Sequence, residues 1–159
     1  MDLRIESFAP LVEAGSGELT WAFDTSSIDW HELSVLYRIA PLGEKSPEDL
    51  ERSFSNSLFK CFVFERRRLV GAGRALADGV DCSYLCDIAV HPDLQGRGVG
   101  AAIVARLKEL SAGHRKIILY ANPGKESFYE KLGFRRMRTA MAIFKNQEHA
   151  ARTGLIEEA

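Results

Sequence analysis

One stretch constrains the chain more than any other: Cys86-Asp87-Ile88-Ala89-Val90-His91-Pro92-Asp93-Leu94-Gln95-Gly96-Arg97-Gly98-Val99-Gly100. It reads as a buried strand, a short turn, a glycine-rich loop and then a helix. Ile88, Ala89 and Val90 form the apolar end of the strand. Pro92 has no N–H to give to a sheet ladder, so the strand stops near His91. Gly96, Gly98 and Gly100 then alternate with Arg97 and Val99. Glycine reaches positive φ and lets backbone N–H groups come close to a ligand. The apolar run that begins at Ala101 reads as helix. Free N–H groups and the helix dipole converge at such a junction, which makes it an anion site. The ligand it predicts is a phosphate or pyrophosphate.

Two other readings compete. Alternating glycines also make a flexible turn. Gly96-x-Gly98-x-x-Ala101 also fits the permissive dinucleotide pattern G-x-G-x-x-A. That pattern follows its strand with almost no gap and needs an acidic residue about 20 positions on. Here five residues, His91 to Gln95, intervene, and the next strand ends at Tyr120-Ala121-Asn122 without a carboxylate. A P-loop is excluded, because no Gly-Lys-Ser or Gly-Lys-Thr closes the loop.

The rest of the chain supplies a frame for this stretch. Residues 18–24 alternate as a strand, and residues 1–17 allow only a short strand or a loose arm. Asp29 is a good N-cap for a helix over 28–40, with Trp30, Leu33, Leu36 and Tyr37 at helical spacing. Ser46-Pro47 starts a second helix that carries Leu50 and Phe54. Residues 59–65 and 69–76 read as a hairpin with Arg66, Arg67 and Arg68 at its tip. Gly71 and Gly73 predict a bulge or a close backbone approach. Residues 81–90, 99–112 and 115–121 form a strand–helix–strand unit, so its two strands are expected to be parallel neighbours. A short helix follows at 125–132. Residues 134–139 and 140–145 look like a closing antiparallel pair, and 146–159 like a polar tail.

At 159 residues the expectation is one domain over 1–159. A formal charge of −1 argues against a general nucleic-acid partner. Cys61, Cys82 and Cys86 suggest no disulfide framework, and Cys82, Cys86 and His91 fit no common zinc spacing, so no metal is expected. The N-terminus has no apolar signal core and no run is long enough to span a membrane. The expected location is the cytoplasm.

Two segments resemble a known family. Gln95-Gly96-Arg97-Gly98-Val99-Gly100 matches the Q/R-x-x-G-x-G/A motif of the GNAT superfamily of N-acetyltransferases, after Val90-His91-Pro92. Ser127-Phe128-Tyr129-Glu130-Lys131-Leu132-Gly133-Phe134 matches its F-Y-x-K-x-G-F segment. The resemblance implies an α/β (α+β) fold with a mixed central sheet. That sheet is mostly antiparallel, with one central parallel pair splayed to hold acyl-CoA. Within the superfamily, Asp87-Ile88-Ala89-Val90-His91-Pro92 and Leu119-Tyr120-Ala121-Asn122 look similar to bacterial relatives of plant-type serotonin N-acetyltransferases. Those enzymes carry aspartate where this chain has Asn122.

What the resemblance implies for the site follows residue by residue. Backbone N–H groups from Gln95 through Gly96, Arg97, Gly98, Val99, Gly100 and Ala101 would hold the pyrophosphate of acetyl-CoA. Arg97 adds a charge there or points to water. Main-chain groups of Ile88, Ala89 and Val90 would pair with the pantetheine arm and polarise the thioester carbonyl. Asn122 would touch the same arm, and Ser127 would reach it or cap its helix. Tyr129 would donate a proton to the leaving sulfur, or else pack and order the arm. Asp87 is a candidate base, or a buried carboxylate paired with an arginine; His31 and His91 are weaker candidates. Trp30, Tyr37, Leu42 and Phe54 are candidates to face the acceptor, or else core residues. The expected reaction is direct acetyl transfer to a primary amine, with a small molecule favoured and a homodimer allowed. The alternatives are a non-catalytic acyl-CoA sensor and a protein lysine or N-terminal acetyltransferase.

Overall fold

Local signals set where the helices begin. In the computed structural model, which describes residues 18–158, the Asp29 carboxylate accepts from the N–H groups of His31 and Glu32. That cap opens α1, Trp30–Ile39. Ser46 Oγ accepts from Asp49 N–H and opens α2, Pro47–Ser55, with Pro47 in the first turn where its missing donor is harmless. The expected strand or arm at 1–17 lies outside the described residues.

The described residues fall into two units, 18–118 and 119–158. The first carries a five-stranded sheet in the order β1-β2-β3-β4-β5. The strands are β1 Leu19–Ala22, β2 Phe59–Glu65, β3 Arg68–Ala77, β4 Cys82–Val90 and β5 Lys116–Ile118. The first three junctions are antiparallel and β4–β5 is parallel. The fold class is therefore the mixed, mainly antiparallel sheet expected. One detail differs: β5 is an edge strand, so the parallel pair is not central among the described residues. A crossover helix, α3 at Val99–Leu110, joins β4 to β5.

Strand alternation divides the core. Phe62 and Ala72 join Leu33, Leu36, Tyr37, Leu50 and Phe54 of α1 and α2 in one buried cluster. The opposite face of β2 and β3 meets α3, which buries Val99, Ile103, Val104 and Leu107. Gly73 lies under that helix. A Cβ there would stand 2.7 Å from Ile103 Cγ2 and 3.1 Å from Leu107 Cδ1, so only glycine admits the contact. The close approach expected from the sequence is thus present.

Two interruptions mark the sheet. Between Val63↔Gly71 and Phe64↔Leu69, Val70 is an extra residue on β3. Between Arg74↔Cys86 and Ala72↔Ala89, both Asp87 and Ile88 face the single residue Gly73. Each is a β-bulge, two residues opposite one.

The second unit contains α4, Glu126–Lys131, and α5, Gln147–Arg152. The closing pair expected at 134–145 is not formed: no strand is present there. Met141 and Ile143 are exposed.

Candidate active site

The first unit builds its candidate site around β4. β5 pairs with β4 only through Tyr84↔Ile118, while β4 continues to Val90. Among the described residues, β4 from Leu85 to Val90 is bonded into the sheet through β3 alone. Asp87 sits in this half at φ 56°, a left-handed backbone that aspartate tolerates better than most residues. Strain of this kind costs about 1–3 kcal/mol and persists only where surrounding contacts hold it.

Those contacts are specific. Tyr37 Oη donates to the Asp87 carbonyl at 2.6 Å. Arg74 Nε donates to Asp87 Oδ2 at 2.6 Å, and Lys45 Nζ to Oδ1 at 2.9 Å. Arg74 Nη1 also donates to Ser57 Oγ at 3.2 Å. Burial would push the Asp87 carboxyl up, but the hydrogen bonds and charges of Lys45 and Arg74 outweigh it and hold it below its ordinary value. Asp87 is therefore an ionised carboxylate with both oxygens engaged, as in the paired-carboxylate alternative. A base in that state is weak until one cation leaves. Burial and the Asp87 charge push the Tyr37 hydroxyl well above its usual value, so it remains a donor.

A cavity of about 260 Å³ opens beside this network, lined by Glu44, Lys45, Asp49, Leu50, Ser53, Arg74 and Asp87. Of the four candidates for the acceptor side, Tyr37 and Phe54 are fully buried core side chains, so they do not present a surface to a ligand. Trp30 and Leu42 are half-buried against the same cluster. Sequence reasoning missed Lys45 and Arg74. Arg74 had a readable signal, since one charge within the apolar run Leu69–Leu76 needs a partner in the sheet. Lys45, on the loop between α1 and α2, had none.

The glycine loop has the geometry its composition predicts. Pro92–Leu94 forms one 3₁₀ turn. His91 N–H donates to Val70 O at 2.8 Å, and Gln95 Nε2 donates to Val90 O at 3.0 Å, which ties the turn to the end of β4. Gly96 and Gly98 have φ 76° and 83°. The first helical bond of α3 runs from Ala102 N–H to Gly98 O, 2.9 Å. Val99, Gly100 and Ala101 N–H precede it, and Gly98 has no side chain to cap them. This cradle fits the pyrophosphate of acetyl-CoA, and the one-sided half of β4 fits an added strand-like arm. Arg97 is exposed and His91 accepts from Asp93 N–H.

In the second unit, Tyr129 lies on α4 with its ring edge-on to Phe128 and Phe134. Burial raises its hydroxyl above the usual phenol value, so it stays protonated. Asn122 and Ser127 are exposed. Cys86 is pushed up to about 11, mainly by burial, and Cys61 to about 12 by burial. Both are thiols at neutral pH rather than nucleophilic thiolates. No group of metal-ligating side chains is present among the described residues.

A bulged strand bonded on one side, followed by an uncapped glycine turn and a helix, defines a scaffold for an extended, phosphate-bearing co-substrate. Comparison with known proteins agrees. Residues 26–134 match the Acetyltransferase (GNAT) family. The chain belongs to the GNAT family, and its class of activity is acetyl-CoA-dependent N-acetyl transfer. It is 28% identical over 128 residues to an uncharacterized N-acetyltransferase, ycf52-like, of Prochlorococcus marinus, covering 76% of this chain and 71% of the relative. It is 35% identical over 91 residues to serotonin N-acetyltransferase 2, chloroplastic, of Oryza sativa subsp. japonica, covering 54% of this chain and 46% of that enzyme. A GNAT family acetyltransferase from Streptococcus pneumoniae shares the fold at TM-score 0.70 and 21% identity, covering 82% of this chain and 99% of that one.

Proposed function

We propose that this protein moves an acetyl group from acetyl-CoA to the primary amine of a small molecule, directly, within a ternary complex. The observation that carries the reading is the β4 bulge, beside both a polar cavity and a strand half bonded only through β3. When bound, acetyl-CoA supplies an activated thioester. Backbone N–H groups of residues 95–101 hold the pyrophosphate. Ile88, Ala89 and Val90 pair with the pantetheine arm through their main chain, and one of their N–H groups polarises the thioester carbonyl. Asn122 and Ser127 order the arm. Tyr129 holds the proton that the leaving sulfur takes, and burial keeps its hydroxyl protonated until then. Asp87 receives the acceptor's ammonium in the place of Lys45, the proton that the amine loses before attack passes to the Asp87 carboxylate and on through water, and solvent returns a proton to Tyr129 once the thiol has left. We read residues 1–159 as one domain that works in the cytoplasm, with a homodimer allowed.

Thiol release from acetyl-CoA against a panel of amines tests the reading. Turnover with a small amine, lowered about a hundredfold in Tyr129→Phe with acetyl-CoA affinity unchanged, is the expected result. Turnover on a lysine peptide alone would replace the small-molecule acceptor with a protein. Acetyl-CoA binding without release on any amine would favour a sensor.

A further inference from the structure

The cavity beside the β4 bulge already contains a primary ammonium, and it belongs to the chain itself. Lys45 Nζ lies 2.9 Å from Asp87 Oδ1. The two cations on Asp87 are held differently. Arg74 projects from a sheet strand, its side chain is 14% exposed, and it is bonded to Ser57 as well. Lys45 projects from a loop and its side chain is 31% exposed. Ser34 Oγ donates to the Lys45 carbonyl at 2.6 Å, which pins the loop backbone, and beyond Asp87 the Lys45 ammonium meets the face of the Tyr37 ring, 5.4 Å from its centroid. Glu44 and Lys45 also line a second hollow of about 260 Å³, with Ser34, Arg38 and Ser46. That hollow gives the Lys45 side chain somewhere to go. Of the two cations on Asp87, Arg74 is the more buried and the more fully bonded, and Lys45 is the more exposed.

The lining sets the chemistry of what could exchange for it. Leu50 is the one apolar residue in it, and Leu50 is 1% exposed. An aromatic acceptor needs a large apolar contact that these walls lack. Glu44 and Asp49 make no ion pair among the described residues. With Lys45 turned into the second hollow, Glu44 stays beside it and Arg38, while Asp49 and Asp87 share the first cavity with Arg74 alone, a balance that still attracts one positive charge. The volume is below that of a drug-sized site, so the guest is small.

We propose that Asp87 Oδ1 is the seat of the acceptor's ammonium, that Lys45 occupies this seat while no acceptor is bound, and that the acceptor is a small polar cationic amine rather than an arylalkylamine. This rests on the acetyl-transfer reading above and names its acceptor class. The exchange is one ammonium for another, so the charge on Asp87 stays compensated throughout.

Calorimetric titration of the full chain, with and without saturating CoA, tests the seat without any turnover. The probes are putrescine, glucosamine and tryptamine. A polar probe binding more tightly than tryptamine is expected. Lys45→Met removes the competitor and is expected to tighten that binding roughly fivefold. Asp87→Asn is expected to weaken it roughly tenfold. Unchanged or weaker binding in a folded Lys45→Met, tighter binding of tryptamine, or no binding of any probe in either state would overturn the proposal. Should Lys45→Met fail to fold, the Lys45 ammonium resonance of the unmodified chain decides. It is expected to shift as the polar probe saturates, and a stationary signal overturns the seat. Acetyl transfer without a Lys45 response would remove the seat alone. A Lys45 response without acetyl-CoA binding would remove the transfer reading and leave the ammonium seat in place.

Discussion

The sheet has two bulges, and they are built from opposite materials. At Val70 the extra residue is apolar and fully buried, and its carbonyl accepts from His91 N–H. At Asp87–Ile88 the first bulge residue is charged, left-handed at φ 56°, and tied to Tyr37, Lys45 and Arg74. The first is stabilised by the core around it. The second needs a polar network, and it faces a cavity. A bulge by itself does not mark a site. The distinguishing features are the strained backbone and the charges assembled to hold it, and strain kept where the core does not require it is a sign of function.

Substitutions at the two bulges should therefore separate stability from chemistry. The largest effect is expected at Asp87. Asp87→Ala leaves the Arg74 guanidinium, 14% exposed, without its carboxylate, and should cost about 3 kcal/mol in denaturant unfolding together with most of the turnover. The sign of the pH effect follows from the lowered pKa. Asp87 stabilises the fold fully above its unfolded value near 3.9, and that contribution is lost as pH falls through the lower folded value. Acid unfolding of Asp87→Asn should lack this component. An unchanged acid limb would mean that the ion pairs do not hold the bulge.

The next effects contrast packing with network. Val70→Ala should cost about 2 kcal/mol through a cavity and leave the pH dependence of turnover where it was. Gly73→Ala stands opposite the second bulge. Its new Cβ would lie 2.9 Å from Ile88 Cδ1 as well as 2.7 Å from Ile103 Cγ2. It should cost about 2 kcal/mol by overpacking and also lower turnover, because the displaced residue is part of the bulge. If Val70→Ala and Gly73→Ala changed turnover equally, the contrast between the bulges would fail.

Much of the frame was legible because its determinants are local. Asp29 and Ser46 cap helices through neighbours two or three residues away. The alternating Gly96 and Gly98 announce a turn that needs positive φ. The site was less legible because its determinants are not local. Lys45 meets Asp87 across 42 positions of sequence, and Tyr37 reaches it across 50. Tyr37 has a helical-spacing pattern, which marks it as core or acceptor-facing but hides the hydroxyl's bond to a strained carbonyl. The Asp87 conformation depends on register with Gly73, and a single strand's pattern does not encode register. The hairpin tip was placed correctly at its arginines, although Arg66 and Arg67 adopt φ 48° and 72° without the glycine or asparagine that usually announces such a turn.

The smallest expected effect is also the most discriminating. Tyr37→Phe keeps the buried ring and removes a side-chain donor bonded to the Asp87 carbonyl. Leaving that carbonyl without its bond should cost about 1 kcal/mol, far less than loss of the Asp87 carboxylate. The ion pairs of Asp87 remain, so its acid limb should stay as it is. The backbone at the bulge, however, loses its anchor on the α1 side. If the bulge orients an N–H toward the thioester carbonyl, kcat should fall while the acceptor's KM changes little, because the ammonium seat is intact. A KM change with kcat preserved would instead place Tyr37 with the acceptor cavity, and the bulge would then owe its geometry to Arg74 and Lys45 alone.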